Sequence, residues 1–115
     1  KESVEINKKA DSAFAKSDFK LASSLYIKAS QLNPSNYTFF ENAGVSLYQS
    51  EEYEQALPYL KQVVDSLNPK TGKSEYLLGM NLVRIGRREE ACEFFRKSTR
   101  FNFKPAFAEL SKNCK

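Results

Sequence analysis

Ala22-Ser23-Ser24-Leu25-Tyr26, Ala56-Leu57-Pro58-Tyr59-Leu60 and Ala91-Cys92-Glu93-Phe94-Phe95 are three versions of one pattern, an alanine followed four residues later by a large apolar side chain. The alanines stand 34 and then 35 residues apart. Each follows another small residue by 12 positions: Ala10, Gly44 and Gly79. The first two units close on Leu32-Asn33-Pro34 and Leu67-Asn68-Pro69, and the third runs Phe101-Asn102-Phe103-Lys104-Pro105. Self-similarity at this period marks a repeat architecture, in which each unit is one supersecondary element. It moves the question of function from catalysis toward a binding surface.

Working outward from the pattern, apolar residues recur at helical spacing between the breakers. Residues 3–16 align Ile6, Ala10, Ala13 and Phe14, and residues 20–32 align Leu21, Ala22, Leu25, Tyr26, Ala29 and Leu32. A second pair is expected over about 37–49 and 53–67, and a third over about 73–85 and 88–101. A last segment, about 105–114, carries Phe107, Ala108 and Leu110. Turns fall at Lys16-Ser17-Asp18, Ser50-Glu51-Glu52 and Ile85-Gly86-Arg87, where Gly86 suits a left-handed residue past a helix end. Pro58 is a misfit in the second turn of its helix. It removes one hydrogen bond, kinks the axis slightly and is tolerable on an outward face. No stretch alternates with period two over a strand's length, so the chain reads as all-α with about seven helices.

The small residues have a packing consequence. Ala10 or Gly44 on a first helix, opposite Ala22 or Ala56 on its partner, lets two axes approach closely, and Tyr26, Leu60 and Phe95 fill the space toward the neighbours. One pair cannot bury both of its faces, so pairs must stack and the ends need covers. The segment 105–114 reads as such a cover, or as the first helix of a fourth unit.

At 115 residues there is room for one domain. Apolar content of 41% with four glycines and four prolines argues against disorder. No apolar run approaches the ~18 residues that span a bilayer, so no membrane segment is expected within this stretch. Residue 1 is Lys rather than Met, which leaves localisation open between the cytoplasm and an extracytoplasmic site after signal removal. Charge is uneven: residues 1–69 carry a net −2 and residues 70–115 a net +6. The basic half is either a solvated surface or an attraction for an acidic partner. The cations form no motif that reads or stacks bases, so nucleic acid is not expected.

Cys92 and Cys114 make no metal site, because the chain has no histidine and no third thiol. They lie eleven residues either side of position 103. A chain reversal there brings both to one level on facing helices. A disulfide in an oxidising compartment and two buried free thiols are both open, and the thiol reading is favoured because free cysteine packs as a small hydrophobe. Without histidine the usual general base is missing too. The carboxylates Glu51, Glu52, Glu54, Glu89 and Glu90 cluster where second helices open, and helix N-termini account for them. Gly72-Lys73-Ser74 lacks the earlier glycine and the preceding strand of a phosphate-binding loop. No catalytic residues, metal or cofactors are therefore expected.

The pattern resembles the tetratricopeptide repeat. The small residue of the first helix (Ala10, Gly44, Gly79), the alanine of the second (Ala22, Ala56, Ala91) and the large residue four later (Tyr26, Leu60, Phe95) match that family. The next small position is Ala29 and Ser98 but Val63, and of the closing prolines only Pro34 is in register. The resemblance implies a right-handed superhelical solenoid of antiparallel helix pairs. It divides the chain into repeats at about 3–36, 37–71 and 72–105 with a capping helix at about 105–114.

By that resemblance the first helices line a concave groove that holds a peptide or protein segment. The candidate contacts are Asn7, Asp11 and Phe14 from unit one, Asn42, Val45, Tyr48 and Gln49 from unit two, and Lys73, Leu77, Met80 and Arg84 from unit three. Some members grip the acidic C-terminal tail of a heat-shock chaperone with a clamp of cations and amides. Here the five clamp places hold Asn7, Asp11, Asn42, Lys73 and Leu77. Asn42 and Lys73 match, two cations are lost, and Asp11 sets a negative charge where a carboxylate should bind. The chaperone tail is therefore not the expected partner. The function expected is a non-catalytic protein-protein interaction scaffold for a protein or peptide, including an acidic one. The alternative is a structural or self-assembly module joined through the C-terminal end, where a short last helix leaves Cys92, Phe95 and Thr99 incompletely covered.

Overall fold

The computed structural model describes residues 2–114, which form seven helices and no strand. They are α1 (Glu2–Ala15), α2 (Phe19–Leu32), α3 (Tyr37–Gln49), α4 (Tyr53–Gln62), α5 (Lys73–Arg84), α6 (Arg88–Arg100) and α7 (Lys104–Asn113). Consecutive helices pack on one another throughout, so the molecule is a helical solenoid 44 Å long and 20–25 Å across.

The helix ends follow one local rule. Ser17, Glu51 and Gly86 occupy the same turn of successive units, and all three have φ between +62 and +85°. In each the next residue's N–H donates back to a carbonyl five positions earlier: Asp18 to Ala13, Glu52 to Leu47, Arg87 to Leu82. This is the Schellman arrangement that ends a helix at a left-handed residue. It repeats at Asn102, where Phe103 N–H donates to Ser98 O. Only Gly86 was legible as such a residue. Ser17 and Glu51 adopt the conformation because the hairpin closure demands it.

The second helix of the middle unit departs from expectation. α4 runs through the exposed Pro58 to Gln62, and Val63–Leu67 then form a π turn, closed by Asn68 N–H donating to Val63 O. A π turn holds one residue more than an α turn. It takes up the extra residue that makes the second repeat spacing 35 instead of 34.

The core lies where the small residues predicted. Ala10, Ala13, Ala22, Tyr26 and Ala43 form one buried cluster between α1, α2 and α3. Leu47, Ala56, Leu60, Leu78, Leu82, Ala91 and Phe95 form another across the last two units. At Gly44 an added Cβ would lie 2.5 Å from Leu60, and at Gly79 it would lie 2.6 Å from the Phe95 ring. The glycines are there because the large residue of the partner helix fills that space.

Two expectations are corrected at the C-terminal end. Cys92 and Cys114 are joined in a disulfide, with Cα atoms 5.7 Å apart, and are not free thiols. The reversal at Asn102 brings α7 back along α6 and sets the two cysteines level. Cys92 and Phe95 are also buried, at 6% and 0% exposure, whereas Thr99 stays partly exposed as expected. Ala106 is buried in α7, and Leu110 and Cys114 pack against the cluster that contains Phe95.

Candidate functional site

The first helices of units two and three face each other across a pocket of about 200 Å³. Val45, Tyr48 and Gln49 of α3 line one side, Tyr76, Leu77 and Met80 of α5 the other, and Leu60 of α4 the floor. Residues one turn apart on a helix share a face, which is why Val45 and Gln49, and Tyr76 and Met80, arrive together. Five of the eleven residues expected in the groove meet here: Val45, Tyr48, Gln49, Leu77 and Met80.

Arg84 stands at one end of the pocket. Its Nε–H donates to Tyr48 Oη at 3.1 Å, and its guanidinium lies 5.7 Å from the ring centroids of both Tyr48 and Tyr53. The two rings meet edge to face at 5.2 Å. The hydrogen bond to Tyr48 holds the Arg84 ionisation further above its ordinary value. The group is a fixed cation with donors left over for a planar anion. Tyr53 was not legible as its partner, because it comes from a second helix.

At the other end Lys73 is already engaged. Its Nζ lies 3.8 Å from Glu41 Oε1, and Ser74 Oγ–H donates to Glu41 Oε2 at 2.9 Å. Glu41 is 6% exposed. This carboxylate links α3 to α5 and offsets the charge of Lys73 as a ligand-binding cation. Asn42 is half-buried nearby in sequence, outside the pocket lining.

The unit-one candidates do not join this pocket. Asp11 accepts a hydrogen bond from the Tyr26 hydroxyl and lies 3.5 Å from the Asn7 amide nitrogen. Its charge is thus committed to the α1–α2 pair. Phe14 packs edge to face on Phe19 at 5.1 Å.

A second recess continues from the first, between α5 and α7. Met80, Val83 and Arg84 form one wall and Glu109, Lys112 and Asn113 the other. The α7 residues of this recess were not among those expected, because a cover helix has no family position to match. Burial, then the negative charge of Glu109, push the Tyr76 phenol above its ordinary range. Tyr76 therefore stays a neutral wall of the pocket at physiological pH.

A tetratricopeptide repeat model matches residues 7–70 and 43–105. The chain belongs to the tetratricopeptide repeat family. Tetratricopeptide repeat domains are non-catalytic modules that mediate protein-protein interaction. This chain is similar to small glutamine-rich tetratricopeptide repeat-containing protein 2 of Mycosarcoma maydis, 30% identical over 93 residues, which is 81% of this chain and 26% of that protein. It is similar to the Protein STIP1 homolog of Dictyostelium discoideum, 33% identical over 89 residues, 76% of this chain and 15% of that one. The chain thus spans about a quarter or less of these relatives. Among solved structures it superposes on the first tetratricopeptide domain of Spaghetti (RPAP3), bound to the HSP90 peptide SRMEEVD, with a TM-score of 0.88. Identity there is 20%, covering 96% of this chain and 88% of that one, so this likeness bears on the fold.

Proposed function

We propose that this tetratricopeptide repeat chain is a non-catalytic binding module that takes an extended peptide or protein segment on its first-helix face. An apolar side chain of the partner enters the pocket between α3 and α5, and an acidic group beside it meets Arg84. The observation that carries the reading is the pocket itself: aliphatic and aromatic walls around about 200 Å³, with one positioned cation at the rim. A concave apolar site with few convergent polar groups is the usual form of a recognition pocket.

The partner differs in chemistry from a chaperone tail. Spaghetti's domain is described with an HSP90 peptide. In this chain the clamp places hold Asp11, bonded to Tyr26, and Lys73, paired with Glu41. Asp11 adds a negative charge and the Lys73 charge is offset by Glu41, so neither favours a second carboxylate. An apolar anchor beside a single acidic group fits the remaining surface better.

Fluorescence anisotropy on octapeptides carrying one Leu, Ile or Phe, flanked by Ser on one side and Glu on the other, tests this. Burying one such side chain contributes roughly 1.5–3 kcal/mol, so Met80→Glu and Tyr48→Ala should each weaken a bound peptide about ten- to a hundredfold. Arg84→Glu should weaken the Glu-flanked peptides and spare Ser-flanked controls. Affinity unchanged in all three variants would place the binding surface elsewhere.

A further inference from the structure

We infer that the Cys92–Cys114 disulfide is a redox latch on the peptide site, holding α7 where it completes the groove. The inference rests on the peptide-site reading above and adds its regulation.

Three observations carry it. The first is how little else holds α7. Ala106 is its one buried residue among those described, and Leu110 is half-buried. Phe107 is 48% exposed, so the helix turns an apolar side chain outward instead of into the core. The helix packs chiefly on α6, and its far end is fixed by the disulfide and by Arg88 Nη1–H donating to Asn113 Oδ1 at 2.6 Å.

The second is what α7 contributes. Glu109, Lys112 and Asn113 form the outer wall of the recess that begins at Met80 and Arg84. Both of those belong to the neighbourhood of the α3–α5 pocket, so a peptide running past Arg84 meets α7 next. If the C-terminal half of α7 leaves α6, that wall is lost, while the α3–α5 pocket stays.

The third is access. Cys114 is only half-buried, and a recess lined by Arg88, Glu89, Cys92, Glu93, Arg96 and Asn113 opens onto the disulfide. Arg88 and Arg96 lie one turn either side of Cys92 with Glu89 and Glu93 among them, so the recess has no net charge to repel an incoming thiolate. A small dithiol can therefore open it. One thiolate of the dithiol attacks Cys114 Sγ, a mixed disulfide forms, and Cys92 departs as a thiolate and takes a proton. The second thiol of the dithiol closes on its partner sulfur and releases Cys114, which also takes a proton. Two electrons and two protons pass to the protein, and the dithiol leaves as its cyclic disulfide.

The test is hydrogen exchange of the whole chain, air-oxidised and in dithiothreitol, beside the double variant Cys92→Ser/Cys114→Ser. Amides of the C-terminal half of α7 should exchange at least tenfold faster in the reduced protein, with α1–α4 unchanged. The variant should match the reduced form in either buffer. Should the variant fail to fold, as judged by loss of helical circular dichroism, the reduced protein alone decides. Equal protection of α7 in the two states overturns the inference, as does thiol titration that finds both cysteines free after air oxidation. The same fluorescent octapeptides should bind the oxidised form at least fivefold tighter, and equal affinity overturns control of the site. Absence of binding in both states would instead defeat the peptide-site reading, and exchange would then decide the latch by itself.

Discussion

Gly79 shows at the residue scale why a repeat needs small side chains on one helix. The Phe95 ring, fully buried, sits where its Cβ would be. Gly79→Val should cost about 1–3 kcal/mol by overpacking, read from urea denaturation. Gly86 is a different kind of glycine. Nothing lies within 4 Å of an added Cβ, but its φ is +85°, so Gly86→Ala should cost about 1–2 kcal/mol by backbone strain alone. Gly79 was legible from the repeat spacing and Gly86 from its turn. What each avoids was legible only for Gly86, because a turn is local and a ring from the next helix is not. Tyr26 gives a pH prediction. Burial and then the hydrogen bond to Asp11 push its phenol above the ordinary range. The folded state therefore holds that proton more tightly than the unfolded chain. The stability this contributes is complete below about pH 10 and is lost as pH rises beyond it. Tyr26→Phe should reduce the alkaline slope of stability measured between about pH 9 and 11. Tyr76, shifted the same way, should keep some of it. An identical slope in the variant would refute the assignment.

Among the elements, α4 and α7 are where local sequence and fold disagree most. Apolar spacing runs unbroken from Tyr53 to Leu67, so one helix is expected there. The π turn at Val63–Leu67 is visible only as a repeat one residue too long. Deleting Asp65 or Ser66, both exposed, should convert the turn to α geometry with retained helical circular dichroism. Collapse of the fold on either deletion would show that the π turn has a positional role that register alone does not supply. α7 is short, and its covalent tie closes a loop of 22 residues. Closing a loop of that size contributes about 3 kcal/mol through the unfolded chain. Reduction should lower the unfolding free energy by about that amount, measured by denaturation with and without dithiothreitol. The cysteine spacing allowed this bond, and packing of α7 along α6 decided it.

At the scale of the molecule, stability should be distributed along one dimension, as stacked units contact only their neighbours. The cluster of Ala10, Ala22 and Tyr26 is separate from that of Leu60, Leu82 and Phe95. Tyr26→Ala removes about 3–5 kcal/mol of packing. It should accelerate amide exchange in α1 and α2 while leaving α5 and α6 close to wild type. Uniform acceleration through all seven helices would show a single cooperative unit instead. The self-assembly alternative belongs here as well. With Cys92 and Phe95 buried and α7 packed along α6, sedimentation should report one species across concentration.

The sequence by itself determined the helix pairs, their period and their small-to-large contacts, because those depend on spacing along the chain and on side-chain volume. It also determined the absence of histidine chemistry. The tertiary structure decided which expected groove residues meet. Val45, Tyr48, Leu77 and Met80 converge, whereas Asp11 and Lys73 are claimed by Tyr26 and Glu41. It likewise decided the state of the cysteines. A charge or a thiol takes its role from the nearest partner in space, and that partner comes from another helix.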